Sequence, residues 1–264
     1  DRITGLASHK NELIVFKGPH YGGIYRLVGS SPTGSDAFAV VPLTHEVGCV
    51  GWRSIVAVAG DLLFWSPRGI MSLSAVARFG DYLPSYVSAP IHDLFSLAAV
   101  SGVTLDMRNV IESNITAGIP MLHRGMVLWT TRRVGAAGSR NDLIIGMDFR
   151  FTPPRFVFWT AYSASCLAAV RSTVAGRGIA PLFGGYVGRV LEGEQYGTWS
   201  VDTVAYTYSV QTPKFSIGPP ILDKVFARAL VATDAALAAA PSVTLMWKRD
   251  NATEQSATIT PETS

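Results

Sequence analysis

The chain is 264 residues long with a net charge of +3 and a pI of about 8.9, enough for one large or two modest domains and far from the dense basic balance of a protein that coats nucleic acid. Hydrophobic residues make up 48% and charged residues 16%, against about 25% charged in ordinary soluble domains, so either part of the surface is covered by other protein or the buried core is large. No stretch approaches the roughly 18 consecutive apolar residues of a membrane helix, which excludes a helical membrane anchor from the reading. Lysine occurs only at positions 10, 17, 214, 224 and 248. The remaining basic residues are arginine, which is enriched at protein interfaces where lysine is depleted.

In chain order, residues 3–8 and 13–16 read as strands around a polar turn at 9–12, and residues 24–27 follow a longer turn containing Gly18, Pro19, Gly22 and Gly23. A polar loop over 29–36 precedes an outer strand at 38–42. Residues 54–73 then hold three apolar runs, 54–59, 62–66 and 70–73, separated by Gly60-Asp61 and Pro67-Arg68-Gly69. Neither face of these runs is polar: Ile55, Ala57 and Ala59 point one way and Val56 and Val58 the other. A half-exposed antiparallel sheet alternates apolar with polar, so this unit is expected to be covered on both faces. Past Ala75 the texture changes. Ser88 as N-cap, Pro90 in the first turn and Ile91, Leu94, Phe95 and Ala98 at i, i+3, i+4, i+7 predict an amphipathic helix, and Met107, Val110 and Ile111 predict a second short one over 106–114. Strand texture returns at 126–131, 143–149 and 156–160, and residues 167–171, 180–183 and 187–191 form a further three-strand unit. Residues 204–211 alternate as a strand with one solvated face. After the Pro-rich link at 217–220 come an apolar run at 225–231, an alanine-rich stretch at 235–240 of ambiguous state and a last clear strand at 243–247.

The three-strand unit recurs. Leu63-Phe64 followed by Gly69 matches Leu182-Phe183 followed by Gly188, and Gly69-Ile70-x-x-Leu73 matches Gly23-Ile24-x-x-Leu27. A repeated sheet that cannot bury both faces alone needs stacked copies, as the blades of a β-propeller do; chance similarity between short hairpins is the other explanation. The fold class expected is all-β: a propeller-like array of antiparallel blades over residues 1–198, a helical insertion at about 86–114, and a β-rich, sandwich-like C-terminal segment over 199–264. Asp1-Arg2 stands at the threshold of a strand with no methionine before it, and the tail stops in mid-pattern. A fragment is the expectation.

The segments GLASHKNELIVF, VGCVGWRSIVAVAGDLLFWSPRGI, SAPIHDLF, DLIIGMDFR with FVFWTA, LFGGYVGRVL and VQTPKFSIG together resemble the β-propeller structural proteins of tailed-phage particles, the tail-nozzle or tail-hub subunits that extend the head-to-tail connector. The resemblance runs to about Trp247, and its motifs are structural patterns with no catalytic signature among them. It implies a virion location, a homo-oligomeric ring of hexameric order around the DNA exit channel, contacts to connector or adaptor subunits and to tail fibre or needle proteins, and no catalysis. Only four units are visible where closed propellers have typically 4–8 blades; further blades upstream, or a different closure, are the alternatives.

The residues offer little chemistry, and no catalytic, cofactor-binding or metal-binding residue is assigned. Asp61 and Asp142 sit at turns, Asp148 ends a strand, and Glu192 and Glu194 close a unit, without the convergence on a cleft that a glycosidase needs. His9, His20, His45, His92 and His123 lack metal-ligand spacing, and there is no G-x-S-x-G elbow. The run from Gly184 to Gly188 fails the dinucleotide spacing and leads into a strand. Cys49 and Cys166 define no disulfide framework and are expected as small buried residues. The candidate subunit contacts are Ile91, Leu94 and Phe95, whose stripe alternatively packs on its own body, and Arg132, Arg133 and Arg140, a basic loop that is either solvated or in contact with DNA or a neighbouring subunit. The function expected is a non-enzymatic ring in a phage tail through which DNA passes without being gripped. The alternative is a receptor- or carbohydrate-binding propeller at the tail tip.

Overall fold

The computed structural model describes residues 2–19, 22–81, 85–100, 102–113, 115–136, 140–160, 163–171, 179–186 and 190–192, with the strand segments 200–201, 204–205, 243–247 and 255–259. The chain divides into two units, Asp1–Gln211 and Thr212–Ser264. The first is built of antiparallel meanders in sequence order. Sheet 1 is β1 (Ile3–His9), β2 (Glu12–Lys17), β3 (Ile24–Val28) and β4 (Ala39–Thr44); sheet 2 is β5 (Val56–Val58), β6 (Asp61–Ser66) and β7 (Gly69–Ser72). After α1 (Leu73–Phe79), a 3₁₀ segment (Ala89–Ser96) and α2 (Met107–Ser113) comes sheet 3, with β8 (Ala117–Met121), β9 (Met126–Thr131), β10 (Leu143–Asp148) and β11 (Arg155–Trp159). Sheet 4 is β12 (Cys166–Arg171), β13 (Ile179–Gly184) and β14 (Val190–Glu192). A two-stranded ladder, β15 (Ser200–Val201) with β16 (Val204–Ala205), follows, and the second unit contains β17 (Val243–Trp247) paired with β18 (Gln255–Ile259). The mostly-β expectation therefore holds.

Tight turns produce the meanders. Lys10 and Asn11 both take positive φ between the paired residues His9 and Glu12, and Ala59 and Gly60 do so between Val58 and Asp61. Two left-handed residues in succession match the right-handed twist of the flanking strands. The second turn is centred one residue earlier than Gly60-Asp61, so Asp61 opens β6. There its carboxylate accepts from the Ser74 backbone N–H and from the Ser72 and Ser74 hydroxyls. Ser72 itself caps α1 by accepting from Ala75 N–H at 3.2 Å, and Gly80 closes it.

Sheets 1 to 4 pack face to face in chain order. Ile14, Phe16 and Ile24 of sheet 1 meet Leu62, Phe64 and Met71 of sheet 2, with the Phe16 and Phe64 rings 5.1 Å apart. The opposite face of sheet 2, with Leu63, Trp65 and Ile70, meets Val127, Trp129 and Ile145 of sheet 3. The far face of sheet 3, with Ile119, Leu128 and Ile144, meets Leu167 and Phe183 of sheet 4. Every residue of β7, and of β6 after Asp61, is buried, as two-sided covering requires. In β5 only Val56 and Val58 are covered, while Ala57 is exposed.

Three expectations are corrected. Residues 54–59 are not one strand, because Trp52–Ser54 forms a 3₁₀ turn held by the Ser54 hydroxyl on the Gly51 carbonyl. The helix expected after Ser88 is a kinked 3₁₀ segment with non-helical φ/ψ at Ile91 and a left-handed Leu97. Ser88 does not cap it; its hydroxyl accepts from the Ile70 N–H at 2.9 Å, which ties the segment to β7. Short helices take their geometry more from packing than from propensity, and here Ile91, Leu94 and Phe95 are all committed to the core. Cys166 is exposed, unlike Cys49. The expected strand at 204–211 is described only at β16, and the runs expected at 225–231 and 235–240 lie outside the described residues.

Candidate functional site

Where the meanders meet one another along their first strands, side chains cross-link successive sheets. β5 contacts β8, β8 contacts β12, and β1 contacts the 3₁₀ turn of Trp52–Ser54, which in turn contacts β8. The Trp129 indole donates to the Ser54 carbonyl at 3.1 Å, the Thr130 hydroxyl to the Ala164 carbonyl at 2.7 Å, and the Arg53 guanidinium to the Ser165 carbonyl at 2.9 Å. Gly118 on β8 permits this closeness: a Cβ there would lie 2.4 Å from the Trp129 ring.

The expected contact residues fall into two groups. Ile91, Leu94 and Phe95 are buried in the core between sheets 2 and 3, where Phe95 makes an edge contact with Trp65 at 5.2 Å. As subunit contacts they are thereby corrected: their apolar surface is already consumed inside the chain, the alternative that the stripe left open. The three arginines do not form a free basic patch. Arg132 lies 3.4 Å from the Asp106 carboxylate, Arg133 makes both its backbone and guanidinium bonds to Asp142 at 2.9 Å, and Arg140 sits 5.6 Å over the Tyr186 ring. Asp142 is thus a structural partner of the β9–β10 hairpin. Asp148 is likewise held by Arg150, whose hydrogen bonds to it lower its pKa.

Among the described residues, the carboxylates singled out from the sequence, Asp61, Asp142 and Asp148, do not converge on a cleft. Asp61 clamps α1, and Asp142 and Asp148 are bound to arginines on separate turns; Glu194 and His20 lie outside the described residues. His45 packs against Tyr25 and His92 against Tyr86. Among the described residues no group of three or more His, Cys, Asp or Glu is placed to hold a metal ion, and no helix is long and apolar enough to cross a membrane. Trp65 and Trp129 are core, whereas Trp159 is partly exposed and Trp52 is largely exposed.

Sequence reasoning missed a polar network beside the sheet 1–sheet 2 contact. Asp81 accepts from Arg68 and from the Tyr86 hydroxyl, and its N–H donates to Glu46. Arg68, Asp81 and Glu46 edge a shallow cavity also lined by Pro19, Val47 and Ser66. Burial, followed by the Asp81 hydrogen bond, raises the Tyr86 pKa. All these charges are partnered, and the arrangement braces the loop after α1.

Cys49 gives a pH-dependent prediction. Its buried thiol contacts Ser54 and the Gly51 carbonyl, and burial pushes its pKa up to about 11. The neutral thiol is favoured in the folded state. Its contribution is complete below the unfolded thiol value of about 8.5, and stability is lost as pH rises from there towards about 11. Urea unfolding at stepped pH should show this loss in the wild type and a shallower one in Cys49→Ala; equal slopes would remove the thiol from the account.

No protein-family model matches the chain, and no curated protein matches it.

Proposed function

We propose that the protein is a structural subunit of a tailed-phage tail, forming a homo-oligomeric ring that extends the DNA exit channel, with the first unit as part of a β-propeller. The observation that carries the propeller reading is the serial stack: four antiparallel meanders in chain order, each packed face to face on the next, with the first strands of sheets 2, 3 and 4 in contact at one edge and β1 against the turn before β5. That is how propeller blades surround an axis. The assembly reading is supported by the low charge content, and the tail reading by the segments resembling nozzle and hub proteins. Electron microscopy of the purified material tests it: rings within a tail-like particle are expected, and uniformly isolated particles of one chain would overturn it.

DNA is proposed to pass without being gripped. Arg132 and Arg133 stand beside Asp106 and Asp142, whose negative charge offsets what these arginines would bring to a phosphate, and Arg140 lies over the Tyr186 ring. Filter binding of the assembled protein to duplex DNA at physiological salt should show weak retention, unchanged when Arg132, Arg133 and Arg140 become alanine. Tight, steeply salt-dependent retention lost in that variant would make the loop a DNA grip. The receptor- or carbohydrate-binding alternative is left with the exposed Trp52 and Trp159 for stacking on a sugar, since Trp65 and Trp129 are buried.

A further inference from the structure

The last strand of each sheet forms its outer edge, and three of these four edges are guarded against pairing with a further strand. β4 carries Pro42 and meets β3 with a register shift between Ile24 and Tyr25. β7 is already bridged, Met71 to Tyr86, with the Val87 N–H donating to the Ile70 carbonyl at 3.0 Å. β14 spans only Val190–Glu192. Proline, irregular register, cover and shortness are the devices by which sheet edges avoid one another.

β11 has none of them. It runs Arg155-Phe156-Val157-Phe158-Trp159 without proline, glycine or lysine, and every residue pairs with β10 in regular register. Among the described residues no bridge and no backbone hydrogen bond reaches its other side. Phe156 and Phe158 pack against the core between sheets 2 and 3, which fixes the strand in place. On the opposite face Val157 is 41% and Trp159 38% exposed, and the Arg155 guanidinium lies 3.7 Å over the Phe151 ring.

The strand is complementary to its own reverse. An antiparallel copy centred on Val157 sets Arg155 opposite Trp159, Phe156 opposite Phe158 and Val157 opposite Val157, so the whole of both strands pairs. Centring on Phe156 or Phe158 instead pairs only residues 155–157 or 157–159. An arginine beside an indole is a cation–π pair, and opposed aromatic or β-branched side chains are favourable across strands. From the unguarded edge and this self-complementarity we propose that β11 pairs antiparallel with β11 of a second copy, joining two copies of sheet 3 across a two-fold axis at Val157. Such a contact is isologous and links chains in pairs without closing a ring, so the inference stands apart from the ring reading.

Disulfide trapping reads this contact directly. Val157→Cys is made in a Cys166→Ser background, which leaves only the buried Cys49 as a native thiol. Across the axis the introduced thiols face each other at the Cα separation of about 4.5–5.5 Å that directly opposed antiparallel residues have, within disulfide range. Oxidation with copper phenanthroline should give a non-reduced band at twice the 28.3 kDa chain mass, while Leu97→Cys, at another exposed position, stays at one chain. In analytical ultracentrifugation Val157→Lys and Val157→Glu should each pair about tenfold or more weakly than wild type, because like charges then meet at the axis. Mixing the two should restore pairing, and each should keep a thermal transition near wild type. Cross-linking no faster than the control overturns the proposal, as it would if other residues of the same chain covered the edge. Single variants that pair like wild type, a mixture no tighter than its components, or a wild type that forms no pair overturn it as well. An absence of rings in electron micrographs would sink the ring reading and leave this contact standing.

Discussion

Phe64→Asp should leave no folded protein. Phe64 is fully buried in the middle strand of sheet 2, its ring against Phe16, among Leu62, Met71 and the α1 residues Leu73 and Val76. A carboxylate there has no partner, and an unpaired buried charge costs several kcal/mol or forces local opening. Against a total stability of about 5–15 kcal/mol, the loss of ring packing adds the roughly 3–5 kcal/mol typical of Phe→Ala. The Phe64→Ala variant should therefore fold with a lowered Tm, and Phe64→Asp should show no cooperative transition by circular dichroism. Val40→Asp, the same chemistry on an exposed strand position, should unfold near the wild-type temperature. A native transition in Phe64→Asp would mean that sheet 2 is not covered on both sides.

The second large effect is expected at Gly48→Ala. A Cβ at this position would lie 1.8 Å from the Gly18 carbonyl oxygen and 2.9 Å from that of Lys17. Both obstacles are backbone, so no side-chain rotation relieves them. The strand of chain through Val47 and Cys49 would have to withdraw from the β2–β3 turn, stretching the 3.2 Å hydrogen bond from Cys49 N–H to the Lys17 carbonyl. It would also pull two buried residues away from the sheet 1–sheet 2 core. Overpacking against rigid neighbours costs about 1–3 kcal/mol, and the damaged hydrogen bond adds about 1 kcal/mol. Urea denaturation should show a fall in midpoint corresponding to a loss of about 3 kcal/mol; a midpoint within error of wild type would show that the two segments separate without cost.

Much of the strand architecture was legible in the residues themselves. Short apolar runs divided by Gly, Pro, Asn and Asp located the strands of sheets 1 and 2 and most of those of sheets 3 and 4. The double-sided apolar pattern read over residues 55–59 announced a sheet buried on both faces; β6 and β7 show that burial, while in β5 Ala57 is exposed. The match between Leu63-Phe64 and Leu182-Phe183 was also informative, since both pairs lie on the middle strand of a meander. Other elements were missed despite available signals. Ser72 before and Gly80 after a Leu73, Val76 spacing are the caps of α1, but a seven-residue helix following directly on a strand was absorbed into the strand. β8 carries Gly118 and Pro120, which weaken any strand pattern read alone; Gly118 is there because Trp129 leaves no room for a side chain.

Local sequence determined where strands form and turn, because a two-residue alternation and a left-handed turn pair are properties of a few neighbouring residues. It could not determine which apolar faces would be used up. The spacing of Ile91, Leu94 and Phe95 marks an apolar stripe equally suited to a neighbouring subunit or to the chain's own core, and only packing between sheets 2 and 3 assigns it to the core. The arginines near 132–140 read as a basic loop because Asp106 is remote in sequence from Arg132. The pairing of Arg132 exists only after the 103–106 segment docks beside β9, whereas Arg133 finds Asp142 across the β9–β10 hairpin. Burial and charge pairing depend largely on residues far apart along the chain, so tertiary structure alone decided that Arg132 stands beside Asp106 and that the stripe of Ile91, Leu94 and Phe95 is core.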